Sequence, residues 1–186
     1  MSTRDIAYIA LFAALTAALG LFPKLAIPVA GGVPITAQTL GVMLAGGILG
    51  ARRGGLSMLL FLVLVGIGLP LLAGGRGGLG IFFGPSGGFL IGWVIGAFVT
   101  GWLVERFWQT LDWPRAALGC LVGGIVAIYA LGVPWLAVTA ELSLLQAVAG
   151  SAAFIPGDLI KVAIAAAIIV TVKRSYPLIS SARATG

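Results

Sequence analysis

The chain has 186 residues, of which 60% are hydrophobic and only 9% charged, and its mean hydropathy is +1.17. A soluble domain carries roughly 25% charged residues, so this composition excludes a soluble enzyme and makes lipid part of the solvent. The net charge of +6 and the pI near 10.3 do not mark a nucleic-acid binder, because the basic residues stand singly or in pairs between apolar runs and form no patch or arm.

Six apolar runs follow one another, at about 6–22, 35–50, 55–73, 87–104, 116–133 and 157–172. Each is close to the ~17–25 residues that cross ~30 Å of hydrocarbon. They predict an all-α integral membrane protein, a bundle of six transmembrane helices in a single domain spanning 1–186. Arg4 precedes the first run, but no small-x-small cleavage site follows, and Phe22-Pro23-Lys24 reads as a helix exit, so the run is taken as a span rather than a signal peptide. The segment from Val133 to Ser151 is also apolar. Pro134 opens it and Glu141 sits at its middle, where a carboxylate in lipid is costly. It is expected to be a short interfacial helix before the last span.

Lys and Arg set the orientation. With a cytoplasmic N-terminus, Arg4, Arg52, Arg53, Arg106, Arg115, Lys173, Arg174 and Arg183 lie inside, while Lys24, Arg76 and Lys161 lie outside. Both termini are therefore expected in the cytoplasm. The long Gly- and Pro-rich connections, 23–34, 74–86 and 133–156, then share the outer side, where a pocket with lids would be built.

Three helices run from outside to inside. Their first turns read Val33-Pro34-Ile35-Thr36, Gly84-Pro85-Ser86-Gly87 and Ile155-Pro156-Gly157-Asp158. A proline at the first turn costs no hydrogen bond, and three positive dipole ends on one face favour an anion such as a carboxylate. Ordinary helix starts would look the same.

The strongest local feature is Phe154-Ile155-Pro156-Gly157-Asp158-Leu159-Ile160-Lys161. Asp158 and Lys161, three apart, share a helix face. They are either a mutual anchor or a ligand site offering both acceptor and donor, as a urea- or amide-like group requires. Gln38, with Thr36 before it and Thr39 after it, is a ligand contact or a bond between helices. Arg76, in Gly74-Gly75-Arg76-Gly77-Gly78, is a candidate for a carboxylate, with Lys24 a weaker one; a solvated loop charge is the alternative. Phe82 and Phe83 would cover an apolar tail or anchor at the interface.

Other chemistries are removed. No His occurs, which excludes Ser-His-Asp catalysis and His-ligated metal, and the single Cys120 cannot form an internal disulfide. Gly75-Arg76-Gly77-Gly78-Leu79-Gly80 fits G-x-G-x-x-G but lacks the strand–helix unit and acidic residue of a dinucleotide site. No P-loop occurs, so ATP-driven transport would need another subunit. No catalytic residue, cofactor or metal is expected. Two stripes of small residues, Ala10-Ala14-Ala18 and Gly88-Gly92-Gly96, mark close helix contacts; the glycines are expected inside the bundle, and the alanines either there or against a partner.

Taken together, Val33-Pro34-Ile35-Thr36-Ala37-Gln38-Thr39-Leu40-Gly41, Gly50-Ala51-Arg52-Arg53-Gly54, Gly84-Pro85-Ser86-Gly87-Gly88-Phe89 and the Phe154–Lys161 segment resemble the BioY family, the biotin-specific S subunits of energy-coupling-factor transporters. The resemblance covers nearly the whole chain. It implies a six-helix bundle in the cell membrane of a prokaryote that binds biotin from outside. It also implies a transmembrane coupling subunit and two ATP-binding subunits as partners. Asp158 and Lys161 match the family's ligand-contacting positions, and Ala10, Ala14 and Ala18 resemble the surface that meets the coupling subunit. Two other readings stand beside it: a self-sufficient proton-coupled carrier relaying through Asp158, and a ligand-free assembly subunit. The residues alone do not choose biotin among small vitamins.

Overall fold

The computed structural model describes residues 1–22, 25–26 and 34–179. Lys24, Arg183 and most of the 23–34 connection lie outside the described residues. Eight helices carry the fold: α1 (Thr3–Leu19), α2 (Gln38–Leu49), α3 (Ala51–Gly66), the single turn α4 (Gly80–Phe83), α5 (Gly87–Arg106), α6 (Trp113–Thr139), α7 (Leu144–Ala152) and α8 (Ile155–Ser175). Among the described residues they are joined by a 3-10 turn at Trp108–Thr110 and a short antiparallel pair, Leu25–Ala26 with Pro34–Ile35.

Local chemistry explains where the helices begin. Ser2 opens α1 with a capping box: its hydroxyl accepts from the Asp5 N–H at 3.2 Å while its own N–H donates to the Asp5 carboxylate at 2.9 Å. Asp112 caps α6 ahead of Pro114, and Ser143 with Gln146 boxes the start of α7. No local cap serves α3. It turns straight out of α2 at Gly50, whose φ of +87° suits glycine, and its first N–H, that of Ala51, donates to Glu105 of α5 at 3.1 Å. Lys173 and Arg174 close α8, where cations meet the negative helix end.

Helix α2 is the axis of the bundle, buried along most of its length and packed by α1, α3, α5 and α8. Glycines let α5 approach α6. A Cβ on Gly92 would lie 3.0 Å from the Ile128 backbone, and one on Gly88 would strike Trp135. The glycine stripe of α5 is thus an internal contact face. Three helices, α5, α6 and α8, are long and apolar enough to cross a membrane. Large apolar side chains point outward along the bundle, among them Leu59 and Val63 on α3, Ile91, Ile95 and Phe98 on α5, and Ile160, Ile164 and Ile168 on α8. In lipid this surface costs nothing to leave uncovered.

Two expected boundaries move. The apolar run 55–73 is helical only as far as Gly66, and α3 begins earlier, at Ala51. Residues after Gly66 turn back under backbone bonds such as Leu69 N–H to Leu64 O at 3.1 Å. Pro134 does not open a new segment: it lies inside α6, which continues to Thr139. The chain breaks instead at Glu141, whose φ of +53° ends the helix, and the separate helix is α7. Pro134 only forfeits one bond to the preceding turn; further back α6 carries a π-helical stretch, Val122–Ala127.

The bundle end that holds the chain's N-terminus is closed. Arg53, buried at the start of α3, donates through Nε to Leu49 O at 2.9 Å, through Nη1 to Asp5 at 3.3 Å and through Nη2 to Leu178 O at 2.7 Å. One guanidinium so ties α1, the α2–α3 corner and the C-terminal segment together.

Candidate ligand-binding site

At the opposite end the first turns of α2, α5 and α8 converge on a cleft of about 580 Å³, part of it open to the outside. Of the three prolines expected at helix starts, only Pro156 stands in a first turn; Pro85 lies just ahead of α5, and Pro34 lies in the short strand pair, with α2 beginning later at Gln38. Helix α2 contributes Gln38 and Thr39, with Thr36 just ahead of it; α5 contributes Phe89, Leu90 and Trp93; α6 contributes Ile128 and Tyr129; and α8 contributes Asp158 and Lys161.

Asp158 is the hub. It is only 3% exposed. Its Oδ1 accepts from Lys161 Nζ at 2.8 Å and from the Thr39 hydroxyl at 3.3 Å, and its Oδ2 accepts from the Tyr129 hydroxyl at 2.6 Å. Lys161 Nζ also donates to Thr39 Oγ1 at 2.9 Å. A carboxylate so bound is compensated inside an apolar bundle. The network is not saturated. Lys161 has used two of its three N–H groups, and a carboxylate with about four acceptor sites has used three. One donor and one acceptor remain side by side on one helix face.

Arg76 lines the same cleft from the segment between α3 and α4. That segment is a built turn. Leu72 and Arg76 exchange backbone bonds at 3.0 and 3.2 Å, and Gly74, Gly75 and Gly78 take positive φ. The Arg76 side chain spends only Nε, on Ala73 O at 3.4 Å, and meets no carboxylate among the described residues. Partial burial lowers its pKa from the ordinary value, but a guanidinium stays charged. The cleft so carries a neutral ion pair and one further positive charge.

Gln38 lines the cleft but is also bonded within the bundle. It is 1% exposed. Its Nε2 donates to Thr16 O and Leu71 O, each at 3.0 Å, and its Oε1 accepts from Ala73 N–H at 3.0 Å. Both donors are consumed, so Gln38 braces the end of α1 and the Arg76 turn against α2. Gly20 makes room for it: a Cβ there would lie 2.9 Å from the Gln38 amide nitrogen. Thr36 accepts from the Gln38 N–H at 3.3 Å and helps start α2. Phe82 does not line the cleft; its ring packs beside Gly66 at the end of α3, and Phe83 is exposed. The aromatic wall is made by Phe89, Trp93, Tyr129 and Phe154. Phe89 and Tyr129 meet edge to face at 5.8 Å.

Sequence reasoning passed over Tyr129. The available signal was a phenol in the middle of the apolar run 116–133, where a hydroxyl needs a partner. It also passed over Trp135, whose indole N–H donates to Gly84 O at 3.0 Å and fixes the chain ahead of α5. Ala10, Ala14 and Ala18 are all exposed, on the face of α1 away from the bundle.

The model of the BioY family matches residues 1–178. The chain is 52% identical over 187 aligned positions to "Biotin transporter BioY" of Rhizobium etli, covering 96% of this chain and 98% of that protein. It is 52% identical over 183 positions to the protein of the same name from Rhodobacter capsulatus, covering 94% and 95%. Among solved structures it matches one described as the S-component for biotin from an ECF-type ABC transporter, with a TM-score of 0.86 and 33% identity over 94% of this chain and 95% of the other.

Proposed function

The chain belongs to the BioY family, and from that premise we propose that it is the biotin-capturing S subunit of an energy-coupling-factor transporter, a membrane transport protein and not an enzyme. The observation that carries the reading is the unsaturated Asp158–Lys161–Thr39–Tyr129 network sharing one cleft with Arg76.

Biotin has a neutral ureido ring, an apolar bicycle and tail, and one carboxylate. The ring needs a donor for its carbonyl and an acceptor for its N–H groups, which Lys161 and Asp158 supply on adjacent turns of α8. The phenyl and indole faces of Phe89, Trp93 and Phe154 take the apolar body. Arg76 and the helix starts complement the carboxylate. Gln38 acts indirectly, by holding the Arg76 turn.

The six expected spans map onto α1, α2, α3, α5, α6 and α8, with α7 the short interfacial helix. The Lys/Arg distribution puts both termini in the cytoplasm and the cleft on the outer face of a prokaryotic cell membrane. The exposed Ala10-Ala14-Ala18 stripe on α1 is the contact for a transmembrane coupling subunit, and two ATP-binding subunits supply energy. The proton-coupled alternative is not favoured, because the family model and the 52%-identical relatives named as biotin transporters point to the S-subunit reading.

The test is thermal stabilisation of the purified protein by biotin, thiamine, riboflavin and lipoate. Biotin at 100 times its dissociation constant is expected to add about 2.7 kcal/mol. An equal shift with another vitamin, or none with biotin, overturns the reading.

A further inference from the structure

A second concave feature lies on the lipid-facing side of the bundle, between α3 and α5, with about 640 Å³ of space, part of it open. Gly55, Leu59, Val94, Ile95 and Phe98 line it, and the only polar lining residue is Arg52. Gly55 creates the depth, since its missing side chain leaves only Phe98 and Val94 O, each at 3.6 Å, facing the position of a Cβ.

The two walls are stripes at helical spacing. Arg52, Leu56, Leu59 and Val63 follow one another along α3, and Ile91, Ile95, Phe98, Trp102 and Arg106 along α5. These helices run antiparallel, and their shared end is fixed by contact: Glu105 of α5 accepts the Ala51 N–H, and Gly101 sits against the Ala51 backbone. Both stripes therefore finish in an exposed arginine at the same end, with Trp102, 53% exposed, one turn before Arg106. Tryptophan and arginine at this depth mark the boundary between hydrocarbon and headgroups. The one nearby carboxylate, Glu105, is turned inward onto the α3 helix start. Neither Arg52 nor Arg106 forms an ion pair among the described residues, whereas their neighbour Arg53 is paired with Asp5.

We propose that this groove is a binding site for an anionic phospholipid: an acyl chain lies between α3 and α5 while Arg52 and Arg106 hold the phosphate. Charge complementarity selects the occupant. A dry groove alone accepts any acyl chain, but two guanidiniums with no ion-pair partner among the described residues, beside an interfacial indole, prefer a headgroup with net negative charge. The site is separate from the biotin cleft and makes no use of its residues.

The experiment is native mass spectrometry of the detergent-purified chain with phosphatidylglycerol against phosphatidylcholine of the same acyl composition. The wild type is expected to retain phosphatidylglycerol at least fivefold more strongly. R52Q with R106Q is expected to reduce that preference to below twofold while phosphatidylcholine binding stays unchanged. G55L, which fills the groove and keeps both charges, is expected to weaken both lipids. Biotin-induced thermal stabilisation should persist in every variant and reports folding. A wild type with no preference, a preference surviving R52Q with R106Q, or lipid binding indifferent to G55L overturns the proposal. So does protection of Arg52 from dicarbonyl labelling only when a second protein chain is added.

Discussion

Each end of the bundle holds an ion pair with one buried partner, Arg53 at one end and Asp158 at the other, yet only one of them reads as a site. At the closed end Arg53 meets Asp5 at 3.3 Å and spends its remaining reach on Leu49 O and Leu178 O. At the open end Lys161 meets Asp158 at 2.8 Å and both keep unspent hydrogen-bonding capacity facing a cleft. The lesson is that an ion pair inside a bundle signals function through what lies beside it. A pair whose bonds run to packed segments fastens helices together. The pair with a cleft beside it is the one we propose recognises the ligand.

Paired substitutions break or sharpen this contrast. The largest effect is expected from Asp158→Ala and Arg53→Met, each of which removes one partner of a buried pair at a cost of about 3 kcal/mol. Thermal unfolding in detergent should fall for both. Only Asp158→Ala should also raise the biotin dissociation constant, by more than about tenfold, or 1.4 kcal/mol, in titration calorimetry. Equal affinity loss from Arg53→Met would erase the distinction between the ends.

Next comes Tyr129→Phe, which deletes a hydrogen bond to an ionised carboxylate and should cost roughly 1.5–3 kcal/mol of stability, with biotin binding weakened in the same titration. Gln38→Leu strands three buried backbone groups and is expected to cost about 1–3 kcal/mol. Because Gln38 is a brace, its affinity loss should vanish for biotin methyl ester, which makes no demand on the Arg76 turn. Arg76→Gln should weaken biotin about tenfold, roughly 1.4 kcal/mol, and leave the ester unaffected. The smallest effect is expected from Phe82→Ala, within about twofold, or roughly 0.4 kcal/mol, since that ring faces α3.

The sequence displayed most of the open end because its signals are local. Proline at a helix start and the three-residue spacing of Asp158 and Lys161 are both visible within one turn of chain. What it hid was long-range. Tyr129 is far from Asp158 in sequence, and only the packing of α6 beside α8 brings its hydroxyl to 2.6 Å. Gln38 carries the same donors whether they meet a ligand or a backbone, and its use depended on where the Leu71–Ala73 turn returned. The end of α3 was misjudged because Ile67 to Ala73 is apolar enough to span lipid, while its path is set by Gly68, at φ +106°, and Pro70. The helix break misassigned to Pro134 fell at Glu141 for a similar reason: one missing N–H is cheaper inside a long, well-packed helix than a charge is.

The π-helical stretch Val122–Ala127 sits immediately before Ile128 and Tyr129, both on the cleft wall. Such a stretch winds in more residues than an α-helical turn of the same height. Deleting one residue there would let the coil tighten to α-helical winding, at about 100° per residue, and would leave Tyr129 turned toward Asp158. The stretch thus holds about one residue of slack between the start of α6 and the vitamin cleft.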